Sequence, residues 1–269
     1  MSEVIDRIKD PAVVEARRSL GQAGTGRAEA FLADGSSLTA QALDAGAPVE
    51  ALFFLDPVED TETAMLESAS RRGIACHRLS RGVFFRLLGL GYETSVRVLA
   101  VVARPRRSDP LELLADGGCL MVGERTQDPR NVGVMVRTAD AWRLAGCLFG
   151  GDSADPWCRA SVRSTTGSVF RVPVTLTENL GNDLERLRER SVRVIGTSAH
   201  ADVPCWQADL TGPCALVFGN ETTGLSEEAA AACDTLVNIP MEGGAHSFNV
   251  TVAAGIILYE RARQRSIGR

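Results

Sequence analysis

Lysine is almost missing from this chain of 269 residues: Lys9 stands alone beside 28 arginines. Base-composition bias accounts for the larger share of that imbalance, yet an arginine-only cation set still supplies planar forks suited to phosphate. Histidine is scarce too. His77, His200 and His246 have no ligand spacing, so surface or structural roles are expected for them, and no metal centre. The seven cysteines are odd in number and scattered, with no C-x-x-C pair. That pattern excludes a disulfide framework and a zinc ribbon and leaves buried free thiols. No apolar run approaches the roughly 20 residues of a membrane-spanning helix. The charged segment 1–10 lacks the build of a secretory leader, so a cytoplasmic protein is expected. Neither G-x-G-x-x-G nor G-x-x-x-x-G-K followed by Ser or Thr occurs, which removes the dinucleotide fingerprint and the nucleotide-phosphate loop.

What is present is ordinary globular material with an uneven charge. Hydrophobic residues make up 45% of the chain and charged residues 23%, with length enough for two compact domains. The net charge of −5 argues at first against a nucleic-acid partner. Its distribution argues for one. Residues 1–70 carry five Lys and Arg against thirteen Asp and Glu, whereas residues 71–108 carry nine arginines against Glu93 alone. Such asymmetry can build a positive face on an acidic protein. Arg71, Arg72 and Arg78 in that cluster, and Arg159 and Arg163 beside Trp157, are candidate nucleic-acid contacts; a solvated face is the bland alternative.

Two prolines and a charge run at 104–110, then Gly117-Gly118, mark a linker over 105–118 between a first domain, 1–104, and a second, 119–269. In the first, alternating short strands (49–55, 75–79) and helices (38–45, 61–72, 81–88) predict a small α/β unit. In the second, strands at 119–122, 147–150, 192–197, 215–218 and 235–239 alternate with helices at 134–144, 157–166, 180–190, 226–232 and 250–264. That alternation predicts a parallel sheet covered on both faces.

Ligands of a parallel sheet sit beyond the carboxyl ends of its strands. Three stretches fall there: Asn131-Val132-Gly133 with Arg137-Thr138, then Gly219-Asn220-Glu221-Thr222-Thr223-Gly224-Leu225-Ser226, then Ile239-Pro240-Met241 followed by Ser247-Phe248-Asn249-Val250. Singly, the glycines read as turn residues and Asn131 or Asn249 as a helix cap. Taken together and in order, they read as one binding site.

The same stretches resemble the three ordered motifs of the SpoU/TrmH branch of the SPOUT methyltransferases. The resemblance covers the whole second domain. A looser one covers the first, where Arg27-x-x-x-Phe31-Leu32-x-Asp34-Gly35 and Ala42-Leu43-x-Ala45-Gly46 are similar to the substrate-binding domain that often precedes it. The resemblance implies a deep trefoil knot in a parallel-sheet domain, a homodimer with its RNA site across two knotted domains, and transfer of a methyl group from S-adenosylmethionine to a ribose 2′-hydroxyl. Ribosomal RNA of the large subunit is the first substrate expected, for ribosome maturation or antibiotic resistance, and transfer RNA the second. A non-catalytic RNA-binding protein of the same fold is the competing class.

By that resemblance Gly219, Ile239, Met241 and Phe248 enclose the cofactor, with Thr197 and Ser198 as further contacts. Leu is usual where Phe248 stands. Gly219 is expected to let backbone approach the ligand. Arg27 joins Arg71, Arg72, Arg78, Arg159 and Arg163 as an RNA contact. Arg137 is the group that meets the ribose hydroxyl; a guanidinium with a pKa above about 12 is a poor base at neutral pH, so orienting and charge-stabilising roles are preferred. Asn131 positions the nucleotide or Arg137, and Ser247 and Asn249 fix the catalytic pocket. Glu221 reads as a general base or, preferably, as the carboxylate that holds Asn131 or Arg137.

Overall fold

The computed structural model describes residues 3–22, 28–89, 95–114 and 118–267. In chain order the elements are α1 (Pro11–Ser19), β1 (Ala30–Asp34), α2 (Ser36–Asp44), β2 (Val49–Phe54), α3 (Asp60–Arg71), β3 (Ala75–Arg78), α4 (Arg81–Leu88) and β4 (Val98–Ala103). There follow α5 (Pro110–Leu113), β5 (Cys119–Glu124), α6 (Pro129–Ala141), β6 (Gly146–Gly150), α7 (Arg159–Thr165), β7 (Val174–Leu176), α8 (Leu180–Glu189), β8 (Arg193–Thr197) and β9 (Val203–Pro204). The last are β10 (Cys214–Phe218), α9 (Glu227–Ala231), β11 (Thr235–Asn238) and α10 (Val250–Ile267). Among these residues no helix is long and apolar enough to cross a membrane.

The chain forms two compact units, Met1–Arg106 with Trp157–Phe170, and Arg107–Pro156 with Arg171–Arg269. This differs from the expected division in two places. Segment 107–114 is no free linker: Asp109 caps α5 and accepts from Arg186 Nη2 at 2.6 Å, which holds its carboxyl below the usual range. Segment 157–170, expected inside the second domain, packs with the first because α7 lies on β1.

In the first unit the sheet order is β1-β4-β2-β3. The central β4 is antiparallel to both neighbours, and β2 and β3 are parallel. Phe53, Phe84, Leu87, Leu99 and Val101 form its core. β1 ends in Asp34, whose side chain is wholly buried. Its Oδ2 accepts from Arg159 Nε at 3.0 Å and Nη2 at 2.6 Å and from Arg163 Nη1 at 2.8 Å. The two arginines read from the sequence as nucleic-acid contacts are therefore tied to one buried carboxylate, which spacing on a helix does not reveal.

The second unit holds a seven-stranded sheet, β7-β6-β5-β10-β8-β11-β9, parallel at every pairing. Such a sheet is covered on both faces, so its strands are continuous apolar runs; every residue of β5 and β10 is buried. Leu120, Val122, Leu148, Leu184, Val194, Ala215 and Val217 make one core cluster. The all-parallel arrangement agrees with the sequence reading. The short strands β7 and β9 were not expected, since two or three residues carry no periodic signal. All seven cysteines are free thiols. Burial pushes the Cys147 thiol well above its ordinary value and that of Cys233 to about 12, which keeps both protonated and unreactive.

Candidate functional site

Because β5 and β10 are neighbours, with Phe218 opposite Gly123, the loops leaving them emerge side by side at the carboxyl edge. β8 and β11 lie next in the sheet and deliver their loops to the same edge. Strand order also reverses across β5 and β10, which is where a parallel sheet opens a crevice. A pocket of about 680 Å³ lies beside that place, walled by the loops that leave β10, β8 and β11, and is within the ordinary range for a small-molecule site.

Three loops wall the pocket. β8 contributes Thr197, Ser198 and His200; β10 contributes Gly219, Glu221 and Leu225; the segment after β11 contributes Ile239, Met241, His246, Ser247 and Phe248. The pocket thus gathers eight residues given a site role from sequence: Thr197, Ser198, Gly219, Glu221, Ile239, Met241, Ser247 and Phe248. His200 and His246, set aside as surface or structural, line it as well. His77 is elsewhere, stacked on Phe53 with ring centroids 5.2 Å apart.

The 219–226 loop closes on itself. Asn220 and Gly224 exchange backbone hydrogen bonds of 3.1 and 2.9 Å, and Asn220 Oδ1 accepts from the N–H groups of Thr222 and Thr223. Gly224 takes φ +68°, the left-handed region glycine favours. A Cβ on Gly219 would stand 2.4 Å from both the Gly224 carbonyl carbon and the Leu225 nitrogen. Glycine is required there by the loop's own backbone, whatever else approaches it.

Two further residues, missed from sequence, fasten this loop to β5. The Glu124 carboxylate, on a residue only 5% exposed, accepts from Ser226 N–H at 2.8 Å and Ser226 Oγ at 2.5 Å. Arg125 Nη2 donates to the Gly224 carbonyl at 3.1 Å. A carboxylate ending a buried apolar strand was the available signal for Glu124, because a buried charge must have partners.

The three motifs meet in a hydrogen-bonded relay. Asn131 Nδ2 donates to Glu221 Oε1 at 2.5 Å, and Asn249 Nδ2 donates to Asn131 Oδ1 at 3.3 Å. Asn249 Oδ1 also accepts from Thr251 N–H at 2.9 Å, which caps the first turn of α10. Asn131 itself is not a cap. α6 starts five residues before the expected Val134, with Asp128 as its N-cap and Pro129 at its first position, so Asn131 lies inside the first turn. The Asp-Pro pair was the legible sign of that start.

Arg137 stands six residues further along α6, exposed and outside the pocket walls. Arg71 pairs loosely with Glu67 at 3.9 Å, Arg72 donates to the Leu43 carbonyl at 2.9 Å, and Arg78 pairs with Asp56. Arg27 lies outside the described residues.

Residues 119–259 match the family model described as the SpoU rRNA Methylase family. A 23S rRNA (uridine(2479)-2′-O)-methyltransferase of Streptomyces viridochromogenes is 37% identical over 68% of this chain and 65% of its own length. A 23S rRNA (guanosine-2′-O-)-methyltransferase RlmB of Shewanella oneidensis is 38% identical over 57% of this chain and 63% of its own. The chain therefore spans just under two thirds of these curated relatives. Among solved structures, the SpoU methyltransferase AviRb of Streptomyces viridochromogenes in complex with AdoMet superposes with a TM-score of 0.79 at 31% identity, covering 94% of this chain and all of that one.

Proposed function

The chain belongs to the SpoU rRNA Methylase family, and from that premise we propose that it methylates a ribose 2′-hydroxyl of large-subunit ribosomal RNA with S-adenosylmethionine, in the cytoplasm. The relay from Asn249 through Asn131 to Glu221 carries the reading, because it joins all three motifs beside one pocket. The relatives named as acting on 23S rRNA and the cofactor-bound neighbour support it. The knot expected from the resemblance belongs to the same proposal, as does RNA binding by the first unit.

The pocket suits the cofactor chemically. Leu225, Leu236, Val237, Ile239 and Phe248 offer apolar walls for an adenine, and the Glu221 carboxylate offers a negative charge to a sulfonium. Bound S-adenosylmethionine supplies an electrophilic methyl group. Asn131 fixes Glu221 against the pocket, while Ser247, which lines it, can hydrogen-bond the incoming ribose. The acceptor hydroxyl must lose its proton, and a protonated guanidinium serves there by orienting the nucleotide and stabilising the developing oxyanion. Arg137 fills that role from outside the pocket walls. A second copy of the chain completes the site: α10 exposes Val252 at 48% and Tyr259 at 64%, seven residues apart and so on one face, as a homodimer contact requires.

Tritiated cofactor, the purified protein and separate pools of large-subunit ribosomal RNA and transfer RNA test the reading. Label is expected in the ribosomal RNA as an alkali-stable dinucleotide, since a methylated 2′-oxygen cannot attack its phosphodiester. Label in transfer RNA alone would move the substrate, and cofactor binding with no transfer to any RNA would favour the non-catalytic class. Gly219→Ala is a second check. Forcing a Cβ against the loop backbone costs about 1–3 kcal/mol, so S-adenosylhomocysteine is expected to bind roughly tenfold to a hundredfold more weakly by calorimetry.

A further inference from the structure

Arg125 costs the fold on two counts. Its backbone takes φ +52°, the left-handed region where a side chain is strained. Its Nε is buried without a hydrogen-bond partner, and an unsatisfied buried donor is destabilising. Strain concentrated in one residue next to a site is a reason to look for a role there.

What the conformation achieves is a grip on both ends of one turn. The Arg125 N–H donates to the Gly150 carbonyl at 3.0 Å, which fixes its backbone against the end of β6. From that point its carbonyl accepts from Asn220 Nδ2 at 2.9 Å and its Nη2 donates to the Gly224 carbonyl at 3.1 Å. Asn220 and Gly224 are the residues that close the turn walling the pocket. A right-handed backbone at 125 would swing either the carbonyl or the side chain off this turn. Arg125 itself does not line the pocket.

We propose that Arg125 is a positioning residue for the cofactor pocket: the guanidinium tie to Gly224 holds the 219–226 loop in its binding-competent shape, at a cost in backbone strain. The inference rests on the methyltransferase reading and adds a residue that the three motifs do not contain. It predicts that the contribution of Arg125 to binding and its contribution to stability have different origins and separate on mutation.

Arg125→Ala and Arg125→Gly make that separation. Both remove the tie to Gly224, whereas only glycine relieves the left-handed strain. Titration of the full chain with S-adenosylhomocysteine is expected to show about tenfold weaker binding in both variants. The glycine variant should melt about 2–4 °C above the alanine variant. In methyl transfer, KM for the cofactor should rise by a similar factor in both, with kcat at saturation within twofold of wild type. Wild-type affinity in either variant would overturn the proposal. So would an affinity loss that follows melting temperature, with alanine impaired and glycine restored, because the loss would then report strain instead of the tie. Failure of the wild-type protein to bind S-adenosylhomocysteine is a separate result, which removes the methyltransferase reading and this inference with it.

Discussion

Arg137→Ala is expected to lower kcat for RNA methylation by about three orders of magnitude while leaving the melting temperature and cofactor affinity near wild type. The magnitude is that of removing a charged donor from a developing oxyanion, roughly 4 kcal/mol of barrier. The selectivity follows from where the residue stands. Its side chain is exposed on α6 and does not wall the pocket, and arginine and alanine are both good helix formers. Single-turnover transfer with saturating cofactor reads the chemical step directly. Arg137→Lys keeps the charge without the planar fork and should fall between the two. Wild-type turnover in Arg137→Ala would leave the acceptor hydroxyl without its assigned partner, and the catalytic assignment would go with it.

The second large effect concerns stability. Asp34→Ala is expected to cost the first unit about 3 kcal/mol, seen as a fall of roughly 10 °C in its melting transition. Asp34 has no exposed side-chain surface and holds both Arg159 and Arg163. Its loss leaves two guanidiniums facing each other without a counter-ion. The estimate sits at the low end for a broken buried pair because Arg159 and Arg163 keep 29% and 51% of their side-chain exposure. Replacing Arg159 and Arg163 by leucine in the same chain should recover most of the loss, since an apolar set of similar volume matches a buried ion cluster. An unaltered melting curve in Asp34→Ala would show that the ion cluster contributes nothing.

The same cluster shows where sequence reading stops. Arg159 and Arg163, four residues apart on a helix, give a visible cationic edge, and a cationic edge on a chain with an RNA-like charge asymmetry reads as a phosphate contact. Asp34 lies 125 residues away from Arg159. Nothing in local spacing links them, so their pairing, and with it the assignment of 157–170 to the first unit, emerged only from the packing of α7 on β1. Segment 107–114 was misread for a related reason. Proline and charge mark a loop in any sequence, but the ion pair from Asp109 to Arg186 that folds the segment down is a long-range event.

The sequence by itself determined the parallel sheet and the loops that carry the site. Buried parallel strands must be apolar throughout, and turns must carry glycine, asparagine and serine, so both leave marks in the order of residues. Tertiary structure alone decided how those loops are held: Asn131 reaching Glu221 across 90 positions, and Arg125 reaching Gly224 across 99. A hydrogen bond between distant positions depends on where two backbones come to lie. Only the neighbouring of β5 and β10 in the sheet brings those positions together.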